Sequence, residues 1–224
     1  MNNNNALLII DMQREDSFAL HDCQAVIAHN QALLAAAREH QVPVIYTRHI
    51  NGDDLPPGEP LAADGHPASY RAGSDNVHIL AQLMPRPNER VIDKPRYSAF
   101  HRTDLHAHLS ASGIDTLIIS GVLTDVCVLT TVFDAFALGY RIQLVADACT
   151  STTAAAHYSA LLMMCNWVYS LTLINTGELL KALQGLPFNH FQPTAPDQMA
   201  HEPAQLPHAI ARLQLNLQAQ GVRS

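Results

Sequence analysis

Strand-like and helix-like segments alternate along most of this chain. Residues 6–10 form a short apolar segment, a helix-like segment follows over about 25–40, and residues 44–47 again read as a strand. Successive strand–helix–strand units build a parallel sheet with helices on both of its faces. We therefore predict an α/β protein with a three-layer α/β/α, Rossmann-like fold and a six-stranded, mostly parallel sheet.

The rest of the chain repeats these units with one interruption. Further strands are predicted at 91–93, 115–120, 141–146 and 170–174, and further helices at 74–83, 102–112, 128–137, 154–164 and 178–183. The segment 51–72 is rich in Gly, Pro and Asp and interrupts the pattern. Long loops in compact domains often carry function, so we expect an ordered loop or lid there.

A change of composition after residue 185 divides the chain into two parts. Residues 1–185 form one α/β domain, and residues 186–224 form a Pro-rich C-terminal extension with a short helix over about 206–218. Four residues would make one apolar stripe on that helix: Leu206, Ile210, Leu213 and Leu217. We expect the stripe to pack on the parent domain; docking on a neighbouring subunit is the open alternative.

The charge balance limits the partners of the protein. The 224 residues carry a formal net charge of −7 at pH 7, which argues against binding to nucleic acid or to an anionic membrane. No apolar run is long enough to cross a bilayer, and the N-terminal residues lack the features of a signal peptide. We expect a cytoplasmic protein.

The cysteines and histidines indicate neither a disulfide framework nor a metal site. The 4 cysteines form no CxxC pair, so disulfide pairing is not expected. The 13 histidines fit neither an HExxH motif nor a Cys/His ligand spacing. The prediction is a protein without a metal or another cofactor.

The segment 121–127, GVLTDVC, joins a predicted buried strand to a predicted helix. Thr124 would cap this helix and place Cys127 in its first turn, where N–H groups lack intrahelical partners and the helix dipole favours negative charge. A thiol there is easier to ionise, and an oxyanion beside it would find donors. A buried structural cysteine is the alternative that the segment alone leaves open.

Three chemically active side chains follow three predicted strands. Asp11 comes directly after the first strand, Lys94 after the third, and Cys127 just after the fourth. Ligands of open parallel sheets bind beyond the carboxyl ends of the strands, so the three should converge at one edge. A carboxylate can take the proton of a thiol, and an ammonium stabilises the thiolate. Together they suit attack on a carbonyl carbon, giving a thioester that water then cleaves.

Three motifs resemble those of the isochorismatase-like cysteine hydrolases. They are IIDMQ at 9–13, DKPRYSAF at 93–100 and GVLTDVC at 121–127. That superfamily includes nicotinamidases, N-carbamoylsarcosine and ureidoacrylate amidohydrolases, and isochorismatases. The resemblance spans about 6–183 and implies an isochorismatase-like hydrolase fold for the domain 1–185.

The resemblance also implies a role for each candidate catalytic residue. Asp11 would be the proton acceptor, Lys94 its cationic partner and Cys127 the nucleophile. A cis peptide bond is implied between Val122 and Leu123, and it would direct the N–H groups of Leu123 and Cys127 at the oxyanion. The resemblance further implies a homodimer or homotetramer.

Departures from two branches of the superfamily narrow the expected chemistry. Nicotinamidases hold a metal with an Asp-x-His and further histidines after the second strand. This chain has His49, Asp53 and Asp54 in that region, at the wrong spacing. Isochorismatases of siderophore and phenazine pathways typically have another residue at the cysteine position, so Cys127 favours amide chemistry.

The predicted function is cleavage of a C–N bond in a small-molecule substrate, an amide, carbamoyl or ureido compound, through a Cys127 thioester. One alternative is hydrolysis of the vinyl ether of isochorismate, giving pyruvate and a 2,3-dihydroxybenzoate precursor. That reaction should depend on Asp11 but tolerate loss of the thiol. Another alternative is a catalytically idle member of the family that acts as a scaffold.

Five further residues are candidates for the substrate pocket. Phe18, Tyr97 and Phe100 would supply apolar or aromatic walls, and Gln13 and Arg48 would supply polar contacts. Core packing is the alternative for the aromatic residues, and solvation is the alternative for Arg48.

Overall fold

The fold is a single parallel sheet covered by helices on both faces. The computed structural model describes residues 4–52, 54–193 and 203–222. The strands are β1 (Asn5–Ile10), β2 (Val44–His49), β3 (Arg90–Lys94), β4 (Thr116–Val122), β5 (Arg141–Thr150) and β6 (Leu171–Ile174). Their order is β3-β2-β1-β4-β5-β6, and all neighbouring strands are parallel. The predicted three-layer α/β/α fold is confirmed.

Helices cover the sheet in two layers. They are α1 (Cys23–Glu39), α2 (Leu105–Ala111), α3 (Leu129–Ala137), α4 (Ala154–Trp167), α5 (Thr176–Leu183) and α6 (Leu206–Val222). Successive side chains of a strand point to opposite faces, so β1 contributes to two cores. Leu7 and Ile9 pack in the cluster that contains α1 and α5, whereas Leu8 and Ile10 pack in the cluster that contains α2, α3 and α4. None of the described helices is long and apolar enough to cross a membrane.

Two predicted helices differ from the observed structure. The predicted helix at 74–83 is wrong, because only the short turns Asp75–Val77 and Ala81–Leu83 form. Between them the backbone pairs with the residues after β1 instead, through N–H of Leu80 and the carbonyl of Met12. The predicted helix at 102–112 begins only at Leu105, because the backbone before it has a left-handed residue, Arg102, with a φ of 56°.

The described part of the C-terminal extension packs on its own chain. Phe191 forms an antiparallel bridge with Leu173 of β6, and α6 lies against α4 and α5. In the predicted apolar stripe, Leu213 is 5% exposed and belongs to the larger core, whereas Leu206 is 36% exposed. The side chain of Leu217 lies outside the described residues.

The strand order reverses between β1 and β4, and this reversal places a crevice at their carboxyl ends. A glycine allows the two strands to approach there. Gly121 has a φ of 116°, and a Cβ atom on it would lie 2.0 Å from the carbonyl oxygen of Ile10. Only glycine fits this position, which is the register partner of the residue before Asp11.

Candidate active site

Asp11, Lys94 and Cys127 form one buried cluster at the carboxyl ends of β1, β3 and β4. The Nζ of Lys94 lies 2.6 Å from Oδ2 of Asp11, and both side chains are fully buried. The Sγ of Cys127 lies within 4.8 Å of an oxygen of Asp11 and of a ring nitrogen of His49, and the residue is 5% exposed. The structure thus brings together the three side chains that the strand ends and the resemblance indicated.

Asp11 is held in place by β2. Its backbone N–H donates to the carbonyl of Thr47 at 3.2 Å, and the Thr47 hydroxyl donates to its Oδ1 at 2.7 Å. Its φ of 50° lies in the left-handed region, a conformation that costs about 1–3 kcal/mol and recurs at functional sites. Within the described chain Oδ2 accepts no well-aligned hydrogen bond. A lone pair of this oxygen is therefore available for a proton.

Cys127 lies in a turn of π-helix, Thr124–Val128, that leads into α3. The prediction that Thr124 caps this helix is wrong. Leu123 occupies the cap position, and the Thr124 hydroxyl lies 2.8 Å from Nδ1 of His157. The peptide bond between Val122 and Leu123 is cis, as the resemblance implied.

Electrostatics at the resting site differ from the expectation of an easily ionised thiol. Burial raises the pKa of Cys127 and the negative charge of Asp11 raises it further, while the Lys94 ammonium opposes both. Burial lowers the pKa of Lys94, but the Asp11 carboxylate, the strongest of the groups that raise it, leaves that pKa above its ordinary value. The resting site therefore holds a neutral thiol beside a carboxylate–ammonium pair.

His49 belongs to the site although the sequence motifs did not identify it. It is the last residue of β2 and the register partner of Lys94. Its Nδ1 lies 3.4 Å from Nζ of Lys94, and its Nε2 lies 3.0 Å from Oδ1 of Asn51. Burial and then the Lys94 charge lower the pKa of His49. A neutral imidazole therefore accepts from the ammonium and donates to Asn51. The predicted second strand ends at residue 47, so the strand-end rule points to Arg48; the observed strand is two residues longer and ends at His49.

The cluster also contains a set of donors that could hold a metal ion. Atoms of Asp11, His49 and Cys127 lie within 4.8 Å of one another, and their oxygen, nitrogen and sulfur donors suit zinc. The Lys94 ammonium lies among them, 2.6 Å from Asp11 and 3.4 Å from His49. The protein itself therefore supplies the positive charge at this position.

Aromatic rings surround His49. Tyr70, from the loop 51–72, packs edge-on against His49 with centroids 4.9 Å apart and lies 6.0 Å from Phe18. The ring of Tyr97 lies 5.9 Å from that of His49, and Tyr97 is 52% exposed. Of the predicted pocket residues, Tyr97 thus lies against His49, whereas Phe18 lies against Tyr70. Tyr70 was missed because a single aromatic residue in a long loop gives no sequence signal.

The other predicted pocket residues have structural partners elsewhere. The amide of Gln13 hydrogen-bonds to the backbone of β2 and of the segment before β3. Arg48 lies on the opposite face of β2 and donates to Asp93 at 2.7 and 2.8 Å. Phe100 stacks on Tyr140 with centroids 5.8 Å apart and packs against the core. Each of the three residues thus has a structural partner, and a role for them in the pocket stays a prediction.

The beginning of the loop 51–72 is tethered to the segment that follows β3. Arg102 pairs with the Asp54 carboxylate at 2.6 Å, and Arg96 donates to the Asp54 backbone carbonyl at 2.8 Å. Asp54 is therefore a tether of the loop and not a partner of His49. Asp53, the other acid considered as a ligand, lies outside the described residues.

Two hydrogen bonds tie the turn that carries Cys127 to neighbouring elements. The Thr124 hydroxyl contacts His157 of α4, and the hydroxyl of Ser151, just after β5, donates to Asp125. His157 is 8% exposed. Burial, assisted by the nearby His21, lowers the pKa of His157 to about 4.

We expect the burial of His157 to make the free energy of unfolding decrease as the pH falls below neutral. Its pKa is about 4 in the folded protein and about 6.5 in an unfolded chain. The stability contributed by the neutral side chain is therefore complete above pH 6.5 and decreases as the pH falls towards 4. Between pH 7 and pH 5, wild type should lose about 2 kcal/mol more than His157→Asn in urea unfolding. Parallel pH profiles of the two proteins would contradict this.

Comparison with known proteins gives one consistent family. A family model described as the isochorismatase domain matches residues 5–173. Enterobactin synthase component B of Escherichia coli (strain K12) is 33% identical over 181 residues, which are 79% of this chain but only 62% of that protein. Ureidoacrylate amidohydrolase RutB of Variovorax paradoxus (strain S110) is 31% identical over 171 residues, 64% of this chain and 67% of that protein.

A solved structure shares the fold. The crystal structure of a cysteine hydrolase from Pseudomonas syringae pv. phaseolicola 1448A is 26% identical, with a TM-score of 0.72. The match covers 83% of this chain and 95% of that one. The family model spans Asp11, Lys94 and Cys127 and ends at the sixth strand. This protein is therefore a member of the isochorismatase family of hydrolases.

Proposed function

We propose that this protein is a cysteine amidohydrolase that cleaves a C–N bond of a small amide, carbamoyl or ureido compound through a thioester on Cys127. The observation that carries the proposal is the buried ion pair between Lys94 and Asp11, at 2.6 Å, with the Cys127 sulfur within 4.8 Å of an Asp11 oxygen. A carboxylate in that position can remove the thiol proton. Relatives named as a ureidoacrylate amidohydrolase and a cysteine hydrolase support this chemistry.

The first half of the reaction forms the thioester. The proton of the Cys127 thiol passes to Asp11 while the sulfur attacks the substrate carbonyl carbon. The Lys94 ammonium stabilises the developing thiolate, and the N–H groups of Leu123 and Cys127 donate to the oxyanion, where one such donor contributes about 3–4 kcal/mol. Asp11 then gives its proton to the nitrogen of the breaking C–N bond, and ammonia or an amine leaves.

The second half of the reaction returns the enzyme to its resting state. Asp11, again a carboxylate, accepts a proton from water while the water oxygen attacks the thioester carbonyl. Collapse of the tetrahedral intermediate breaks the C–S bond, and the proton on Asp11 passes to the sulfur. The raised pKa of Cys127 favours this protonation and leaves the site with a neutral thiol.

Hydrolysis of the isochorismate vinyl ether is the second candidate, and it is favoured by the 33% identity to enterobactin synthase component B. That reaction needs a proton donor at Asp11 but no nucleophile on the enzyme. The position of Cys127 against the Asp11–Lys94 pair supports amide chemistry instead. It also supports a catalytic protein over an idle scaffold, since a buried ion pair is costly to maintain for packing alone.

Mass spectrometry of the intact protein tests the proposal. After incubation with a library of small amides and an acid quench, wild type should carry an acyl adduct on the peptide that contains Cys127 and should release ammonia. Cys127→Ala should do neither. Ammonia release that survives this substitution would exclude the thioester, and isochorismate cleavage by Cys127→Ala would support the second candidate.

A further inference from the structure

We propose that the active site selects substrates without a carboxylate, so that its substrate is an uncharged amide or carbamoyl compound. The inference rests on the proposed function and narrows its substrate class. The reason lies in the charges around the site. The described cations there are already paired with acids, whereas two nearby carboxylates have only neutral hydrogen-bond partners.

The cation inside the site is neutralised. Lys94 is the cationic member of the buried cluster, and its Nζ lies 2.6 Å from the Asp11 carboxylate. Its hydrogen bonds to the carbonyl of Arg96 at 3.1 Å and to Nδ1 of His49 at 3.4 Å use further N–H groups. A substrate carboxylate would therefore have to displace Asp11, which the reaction requires.

The cations at the edge of the site are also occupied. The guanidinium of Arg96 donates to the carbonyls of Pro95 at 2.6 Å and Asp54 at 2.8 Å, and it lies 3.9 Å from the Asp54 carboxylate. Arg102 pairs with the same carboxylate at 2.6 Å. The other described arginines of this region form the pairs Arg14–Asp75, Arg48–Asp93 and Arg71–Asp64.

Two carboxylates near the site have no cationic partner in the described chain. Glu59 accepts a hydrogen bond from the side-chain amide of Asn51 at 3.0 Å, and that amide also contacts His49. Glu15 accepts from the backbone N–H groups of Ser17 at 2.8 Å and Tyr70 at 2.6 Å. Neutral donors leave the negative charge of both groups in place.

These charges disfavour an anionic substrate. A carboxylate entering the site would lose hydration, face two negative charges and find no free cation, and burial of an uncompensated charge is strongly unfavourable. An uncharged substrate would instead contact the rings of Tyr70 and Tyr97 and the neutral imidazole of His49.

Alkylation of Cys127 by two reagents of nearly equal shape tests this selection. Iodoacetamide carries an uncharged amide where iodoacetate carries a carboxylate. The alkylation rates are measured at low ionic strength by peptide mass spectrometry. Each rate is divided by the rate at which the same reagent alkylates 2-mercaptoethanol. Iodoacetamide should alkylate Cys127 about tenfold faster than iodoacetate, since like charges repel an incoming anion. Cys23, which is only partly buried, serves as the internal control and should show a ratio near that of the free thiol.

A pair of charge variants sharpens the test. Asp54→Asn releases Arg96 and Arg102 from their shared carboxylate and should raise the iodoacetate rate about threefold or more, with little change for iodoacetamide. Asp115→Asn is the matched control, because it releases Arg141 at the amino ends of β4 and β5, the opposite edge of the sheet. It should change neither rate.

Turnover provides an independent readout. The nitro group is an uncharged, planar analogue of a carboxylate, so 4-nitrobenzamide should have a higher kcat/KM than 4-carbamoylbenzoate after correction for their reactivity towards hydroxide. The inference would be overturned if iodoacetate alkylated Cys127 as fast as iodoacetamide, or if the enzyme preferred 4-carbamoylbenzoate. Either result would leave the proposed function intact. Amide cleavage that persists in Cys127→Ala would instead overturn the proposed function.

Discussion

Cys127→Ala should lower kcat for amide hydrolysis by about four to six orders of magnitude, as loss of the nucleophile does in other covalent hydrolases. The physical reason is that no other group contacts both Asp11 and the substrate carbonyl carbon in the proposed mechanism. The substitution removes one buried sulfur, so the free energy of unfolding should change by only about 1 kcal/mol. Ammonia-release kinetics and urea unfolding measure the two effects separately.

Cys149→Ala is the matched control for this prediction. Cys149 is also buried, at 3% exposure, and burial raises its pKa as it does for Cys127. Cys149 lies in β5 as the register partner of Gly121, and neither Asp11 nor Lys94 affects its pKa, so this variant should keep kcat within about threefold. Cys127→Ser should resemble Cys127→Ala, because an alkoxide is much harder to generate than a thiolate. A Cys127→Ala enzyme with near-wild-type kcat would refute the role of the thiol.

Lys94→Met should destabilise the protein by about 3–5 kcal/mol, because it leaves the Asp11 carboxylate buried without its partner. Both side chains are fully buried and lie 2.6 Å apart, so water cannot replace the lost ammonium. Activity should fall about a thousandfold as well, since the thiolate loses its stabilising charge. Urea unfolding at pH 7 and ammonia-release kinetics measure the two losses.

The double variant Asp11→Asn with Lys94→Met separates stability from catalysis. Replacing both members of a buried ion pair by neutral groups of similar size is often neutral or stabilising. The double variant should therefore recover most of the stability lost in Lys94→Met but none of the activity. Stability losses that simply add in the double variant would show that the two charges are not coupled.

The strand-end rule identified the candidate catalytic cluster from sequence because it depends on local patterns. Asp11 directly follows an apolar run, Lys94 follows Val91 and Ile92 after one acidic residue, and Cys127 follows another apolar run by a short turn. Parallel strands bring such borders to one edge of the sheet. Applied to the predicted second strand, 44–47, the same rule points to Arg48, whereas His49 is the last residue of the longer strand that forms, Val44–His49.

Pocket residues could not be predicted in the same way. Arg48 and His49 are neighbours in the sequence, yet they point to opposite faces of β2, one to Asp93 and the other to Lys94. Tyr70 reaches the site only because the loop 51–72 folds back over it. Neither fact has a local sequence signal, since both depend on packing between distant segments.

The pKa of Cys127 is a further property that the sequence could not provide. The helix start and the nearby lysine favoured ionisation, but full burial and the contact with Asp11 raise the pKa instead. The outcome depends on distances and exposure that exist only in the folded chain.

The amino-acid sequence alone determined the α/β architecture, the strand ends that carry Asp11, Lys94 and Cys127, and the resemblance to the isochorismatase-like hydrolases, because periodicity and short motifs are local properties of a chain. Only the tertiary structure decided the partner of each charge, the protonation of the thiol and the place of His49 and Tyr70. Those properties depend on burial and on distances of 2.6–6.0 Å between residues far apart in sequence, which no local pattern encodes.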